Sequence, residues 1–194
     1  MTLTKARAIM KEPKRLREWR PRSGQGSGGL FTCARPGWSQ GKKLDKISDD
    51  VVEAWVNGLP RSSDVVIVSL LGHKPKPDGR SEFSYYSFRS CTETSAEDAR
   101  RPTFQEWLDA KYGPGRLSII EHPTTDTDPV PIDILKTLKN EILTLLGANR
   151  IVVLMDSGGW SRVSQVCEKH MGFREITPGG NAVHSIRRNQ ATTR

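Results

Sequence analysis

The residues best placed to do chemistry lie in one short stretch, Asp156, Ser157, Gly158, Gly159, Trp160, Ser161 and Arg162. A carboxylate, two hydroxyls, a glycine pair and a guanidinium within seven residues suit the holding of an oxyanion. Residues 151–155 are a continuous apolar run rich in β-branched side chains, which predicts a buried strand. Gly158 and Gly159 break the run. From Ser161 the pattern turns helical, with Val163, Val166, Cys167 and Met171 on one face and Gly172 ending it. A strand, a tight turn and a helix start would aim backbone N–H groups at one point, which the Arg162 fork could close.

Other segments must position that turn. Residues 132–146 carry Leu135, Leu138, Ile142, Leu145 and Leu146 at helical spacing, with Gly147 behind them. Residues 64–71 are apolar enough to run inside a sheet, and residues 117–120 predict a shorter strand. Residues 45–57 read as a helix capped by Ser48 and stopped by Gly58 and Pro60. Thr103 is positioned to cap another helix running to Lys111. Residues 82–89, where Phe83, Tyr85 or Tyr86, and Phe88 alternate, predict a strand exposed on one face. Strands alternating with helices indicate an α/β domain with a central, mainly parallel sheet flanked by helices. In such sheets ligands bind at the carboxyl ends of the strands, where Asp156 begins the turn.

Charge divides the chain. Residues 1–22 hold eight basic residues and two acids, and residues 187–194 add three arginines. The part between them is nearly neutral, with 19 basic and 20 acidic residues. Ser23 to Gly29 has linker composition. The reading is therefore a basic flexible tail over 1–29, a domain over 30–176 and a second tail over 177–194, with residues 5–20 able to form a basic helix. Excess charge in tails argues against a basic groove on the folded body. It leaves residues 1–22 free to touch nucleic acid or an acidic partner. No run of 18 apolar residues is present, so no membrane partner is expected. Cys33, Cys91 and Cys167 have neither paired nor metal-type spacing, and His73, His122, His170 and His184 are scattered. A reducing, cytoplasmic setting follows, with no metal and no cofactor.

The turn resembles the phosphate-binding loop of the protein tyrosine and dual-specificity phosphatase superfamily, whose motif is His-Cys-x2-Gly-x2-Arg. Gly159 and Arg162 match it, while Met155 and Asp156 stand where histidine and cysteine would be. Upstream, the segment from Thr125 to Pro129 looks like that family's general-acid loop, Asp126 matching best and Asp128 second. The resemblance covers roughly residues 117–173. It implies a phosphatase-like α/β fold, with Asp126, Asp156 and Arg162 at the catalytic positions. It also implies a phosphate cradle made by Ser157, Gly158, Gly159, Trp160, Ser161 and Arg162. His122 lies near the acid loop, and Arg80 precedes the aromatic stretch.

The departure at Asp156 governs what the loop can do. The family's chemistry needs a thiolate nucleophile. No cysteine here has an arginine six residues on; those positions hold Ser39, Glu97 and Phe173. A carboxylate among loop amides and Arg162 should stay charged. It would repel an incoming phosphate by about 4 kcal/mol per charge pair at an effective dielectric near 20. The expectation is an Asp156 that plugs its own anion site and pairs with Arg162. That describes an impaired phosphatase, a pseudophosphatase, binding a phosphate-bearing ligand or phosphoprotein. Alternatives stay open: an active phosphatase seen in a nucleophile-substituted form, an interaction protein of a nucleic-acid-containing assembly, Asp156 as a phosphoryl acceptor, or Asp156 as a base beside a bound nucleotide or phosphosugar. An aspartyl acceptor would want further acids beside it, and Ser157-Gly158-Gly159 supplies none.

Overall fold

A computed structural model of the chain describes residues 13–21, 29–39, 46–60, 64–72, 81–92, 98–126 and 128–176. In chain order the elements are β1 (Arg17–Pro21), β2 (Leu30–Ala34), α1 (Asp49–Asn57), β3 (Val65–Ser69), α2 (Phe104–Tyr112), β4 (Leu117–Glu121), α3 (Ile132–Gly147), β5 (Ile151–Asp156), α4 (Ser161–Ser164) and β6 (Phe173–Ile176). The last helix continues past Ser164 over Gln165–His170 in wider, π-type turns, and the Met171 N–H reaches back to the Val166 carbonyl at 2.9 Å. The six strands form one sheet in the order β4-β3-β5-β2-β1-β6. β4, β3, β5 and β2 are mutually parallel, and β1 runs antiparallel to both of its neighbours. This is the mainly parallel α/β architecture that the alternation predicts.

Apolar side chains of β3 and β5 alternate between two cores. Val65, Ile67, Val153 and Met155 pack with α1, α2 and the aromatic segment. Val66, Val68, Val152 and Leu154 pack with α3 and α4 on the other face. Both faces are covered, which is why these strands read as unbroken apolar runs. Thr103 caps α2 through a reciprocal bond pair with Glu106, as its spacing predicts. Ser48 precedes α1 without a side-chain capping bond, and α1 begins at Asp49 rather than at Asp45, which lies outside the described residues. No described helix is long and apolar enough to cross a membrane.

Three expectations need correction. The segment read as a basic helix within a tail ends in a strand: β1 pairs with β2 and β6, and Trp19 is buried. The boundary near Leu30 is therefore drawn too late, and β6 closes that edge of the sheet. Residues 1–12, 22–28 and 177–194, where the rest of the two tails was placed, lie outside the described residues. Residues 82–88 form a string of turns and bends rather than a strand. Phe83, Tyr85, Tyr86 and Phe88 are all buried there. Phe88 stacks on Phe104 with centroids 4.1 Å apart, so the aromatics fill a core instead of alternating across a pleat.

Candidate functional site

β5 lies at the middle of the parallel strands, and its carboxyl end delivers Asp156 into the interior at 1% exposure. The chain then folds back around that side chain. Oδ1 of Asp156 accepts the N–H of Gly159 and, at 3.2 Å, that of Trp160. Oδ2 accepts the N–H groups of Arg162 at 3.0 Å and Val163 at 3.1 Å. The last two are orphan donors of the first turn of α4, which has no side-chain cap of its own. One carboxylate thus caps a helix and fills the turn that precedes it. The loop amides do converge on one point, and the group held there is part of the chain.

Gly159 makes this turn possible. Its φ is +66°, and a Cβ there would collide with the backbone of Cys33 and Ala34 on β2. A Cβ at Gly158 would meet only Arg15 and Trp38 side-chain atoms at 3.6 Å, an ordinary contact. Gly159→Ala is expected to cost about 2–3 kcal/mol from the positive φ and backbone overlap together. Gly158→Ala should stay within about 0.5 kcal/mol, as surface changes do. Urea unfolding of the two variants checks the contrast.

Arg162 is buried beside this turn, but its guanidinium does not bond Asp156. Nη1 donates to the Leu70 carbonyl at 2.6 Å, to Glu82 Oε2 at 3.2 Å, and to the Thr124 carbonyl and hydroxyl at 3.2 and 3.3 Å. Nη2 donates to Glu82 Oε1 at 3.0 Å and to Asp126 Oδ1 at 3.1 Å. The expected Asp156–Arg162 side-chain pair is replaced by a two-pronged Glu82–Arg162 pair, both partners at most 2% exposed. Burial works against the Arg162 charge, but Glu82, Asp156 and Asp126 outweigh it and raise its pKa above the ordinary value. The Arg162 Nε has no acceptor among the described residues.

Asp126 accepts from the Arg162 guanidinium at 3.1 Å, whereas Asp156 accepts loop N–H groups and makes no bond to that guanidinium. Asp128 and Asp133 are exposed, and no side chain caps α3. His122 contacts Glu141 of α3 at 2.6 Å rather than the Arg162 cluster. Arg80 lies outside the described residues. Ser157 accepts a long bond from Arg35 Nε at 3.4 Å, Ser161 is exposed, and Trp160 is 53% exposed at the loop tip. Sequence reasoning missed Glu82. The one available cue was an acid beginning an apolar aromatic run, too common a pattern to single out.

No cysteine stands at the loop. Cys33 and Cys167 are buried, and burial pushes the Cys167 thiol far up. Cys91 is exposed, with desolvation and Glu121 raising its pKa as well. Among the described residues no group of three or more His, Cys, Asp or Glu is arranged to hold a metal.

No family model matches this chain. No curated protein matches it. Among solved structures it is similar to kinase associated phosphatase carrying a serine in place of its catalytic-site cysteine. The identity is 14%, over 83% of this chain and 74% of that one, with a TM-score of 0.49. A likeness of that strength decides neither family nor activity.

Proposed function

We propose that this chain is a phosphatase-like protein that does not turn over phosphate esters, its phosphate loop being filled by its own carboxylate. The observation that carries the reading is the Asp156 carboxylate accepting four loop N–H groups. Those donors are the ones a phosphoryl group would need at this turn. With two carboxylate oxygens already among them, a phosphate meets occupied donors and a like charge. Asp156 also makes a poor nucleophile, because attack would withdraw an oxygen from its N–H partners.

The residual site is a locked one. Glu82 and Asp126 take Nη2 of Arg162, Glu82 shares Nη1 with the Leu70 and Thr124 oxygens, and Nε remains a buried donor without an acceptor among the described residues. The test is hydrolysis of a generic aryl phosphate by the wild-type chain beside Asp156→Cys. Wild type should show none above background, whereas Asp156→Cys should gain weak turnover or tight binding of inorganic phosphate. Turnover by wild type, or a variant that neither hydrolyses nor binds, would overturn the reading.

A further inference from the structure

At the end of the sheet opposite the 156–162 loop, a cleft of about 920 Å³ opens between the C-termini of α1 and α2. The parallel strands β3 and β4 begin in it, and their first residues, Val65 and Leu117, are partners in register. Val56 and Leu59 extend this apolar floor, and all four side chains are at most 8% exposed. Both helices stop here for local reasons. Gly58 follows α1 and Pro60 bars its continuation; Gly113 follows α2 at φ +90° and Pro114 bars that one. A Cβ at Gly113 or Gly115 would meet nothing within 4 Å, so open space borders this turn.

Polar groups in the lining are few. Arg116 is exposed on the rim and makes no ion pair among the described residues. Glu53 on α1 and Asp64 before β3 pair with other cations, Lys111 at 2.5 Å and Arg150 at 3.4 Å. Tyr112 forms one wall, its hydroxyl donating to the Glu53 carbonyl at 3.4 Å. Burial, with the Glu53 charge second, pushes the Tyr112 pKa up to about 12, so that wall is uncharged at neutral pH. The two helix ends bring weak negative charge of their own. Part of it is met within the chain, since the Gly58 N–H takes the Ala54 and Trp55 carbonyls and the Gly113 N–H takes that of Asp109. The full charge in the lining is the guanidinium.

We propose that this cleft binds a small amphipathic carboxylate, its apolar body on Val56, Leu59, Val65 and Leu117 and its carboxylate on the Arg116 fork. The volume lies within the roughly 300–1,000 Å³ of small-molecule sites, and an apolar floor with one placed charge is their usual make-up. A guanidinium takes a planar carboxylate with two parallel bonds. Inorganic anions lack the body that the floor would cover, and an amine would meet Arg116 as a like charge. Neither Asp156 nor Arg162 lines this cleft, so the proposal stands apart from the non-hydrolytic reading.

The test is titration of the full chain with octanoate, followed through the chemical shifts of its backbone amides. Saturable shifts are expected over residues 56–59 and 112–117. Arg116→Ala should weaken octanoate roughly 10- to 150-fold, the range for a hydrogen bond to a charged group. Octanamide should bind wild type and that variant equally weakly. Asn57→Trp, at an exposed position of the lining, should block octanoate while leaving the urea midpoint in place. The proposal fails if octanoate gives no saturable shift, or if Arg116→Ala binds it as well as wild type. It also fails if octanamide or octylamine binds wild type as tightly, or if inorganic phosphate competes at equal concentration. Shifts that grow with protein concentration alone would overturn it too, by marking the cleft as a contact between copies of this chain.

Discussion

Asp156→Ala should destabilise the protein by about 3–5 kcal/mol, the range for removing one member of a buried charged network, and inorganic phosphate should restore part of the loss. The wild-type carboxylate is 1% exposed and satisfies four backbone donors at once. Without it, the amides of Gly159, Trp160, Arg162 and Val163 point into a void at a helix start. Each buried donor left unmet costs about 1–3 kcal/mol, and water entering the void offsets part of that sum. Phosphate can do better than water, because it brings charge to the positive end of α4 and several acceptor oxygens. A ligand at 100 times its dissociation constant adds about 2.7 kcal/mol to a fold it binds selectively. The measurement is urea unfolding of wild type and variant in phosphate and in chloride of equal ionic strength. Wild type, with its donors occupied, should not distinguish the two salts. Equal responses from both proteins, or a variant as stable as wild type, would show that these amides do not form an anion cradle.

How much of this could be read from the chain depends on how local each cause is. The β5 run and the α3 repeat are local patterns set by burial on both faces of a strand and on one stripe of a helix. Asp156 and Gly159 were legible because a turn between such elements draws on few residue types. β1 was not. Arg17, Glu18 and Arg20 surround the lone buried Trp19, and near the sheet edge a strand needs few apolar residues to hold register. Residues 82–88 misled because alternating aromatics satisfy a strand pattern and a packed loop equally. Only contacts with Phe104 and Trp107, on a later helix, separate the two. Glu82 stands 80 positions from Arg162, and no periodicity relates them. The site was thus half visible: the loop and its plug were local, and the clamp on its arginine was not.

That clamp makes the second strong prediction. Glu82→Ala should cost about 3–5 kcal/mol, because it strands a buried guanidinium whose partner is also buried. Glu82 does more than pair with Arg162. Its Oε2 also accepts the Gly72 N–H at 2.6 Å, tying the end of β3 to the aromatic segment. Removing it therefore orphans a backbone donor as well as a cation. Asp126 contacts the same Nη2 from the other side, but its side chain is 27% exposed and water can take its place. Asp126→Ala should accordingly cost less than about 1 kcal/mol, as solvent-accessible ion pairs do. Glu82→Gln keeps an acceptor for Nη2 and for Gly72 while removing the charge, so it should fall between the two. Arg162→Ala combined with Glu82→Ala should cost less than the sum of the single losses, since each change removes the other's unmet partner. Denaturant midpoints for this set decide the matter. If Asp126→Ala proves as costly as Glu82→Ala, the arginine is held by the exposed acid, and the buried pair is a neighbour rather than a clamp.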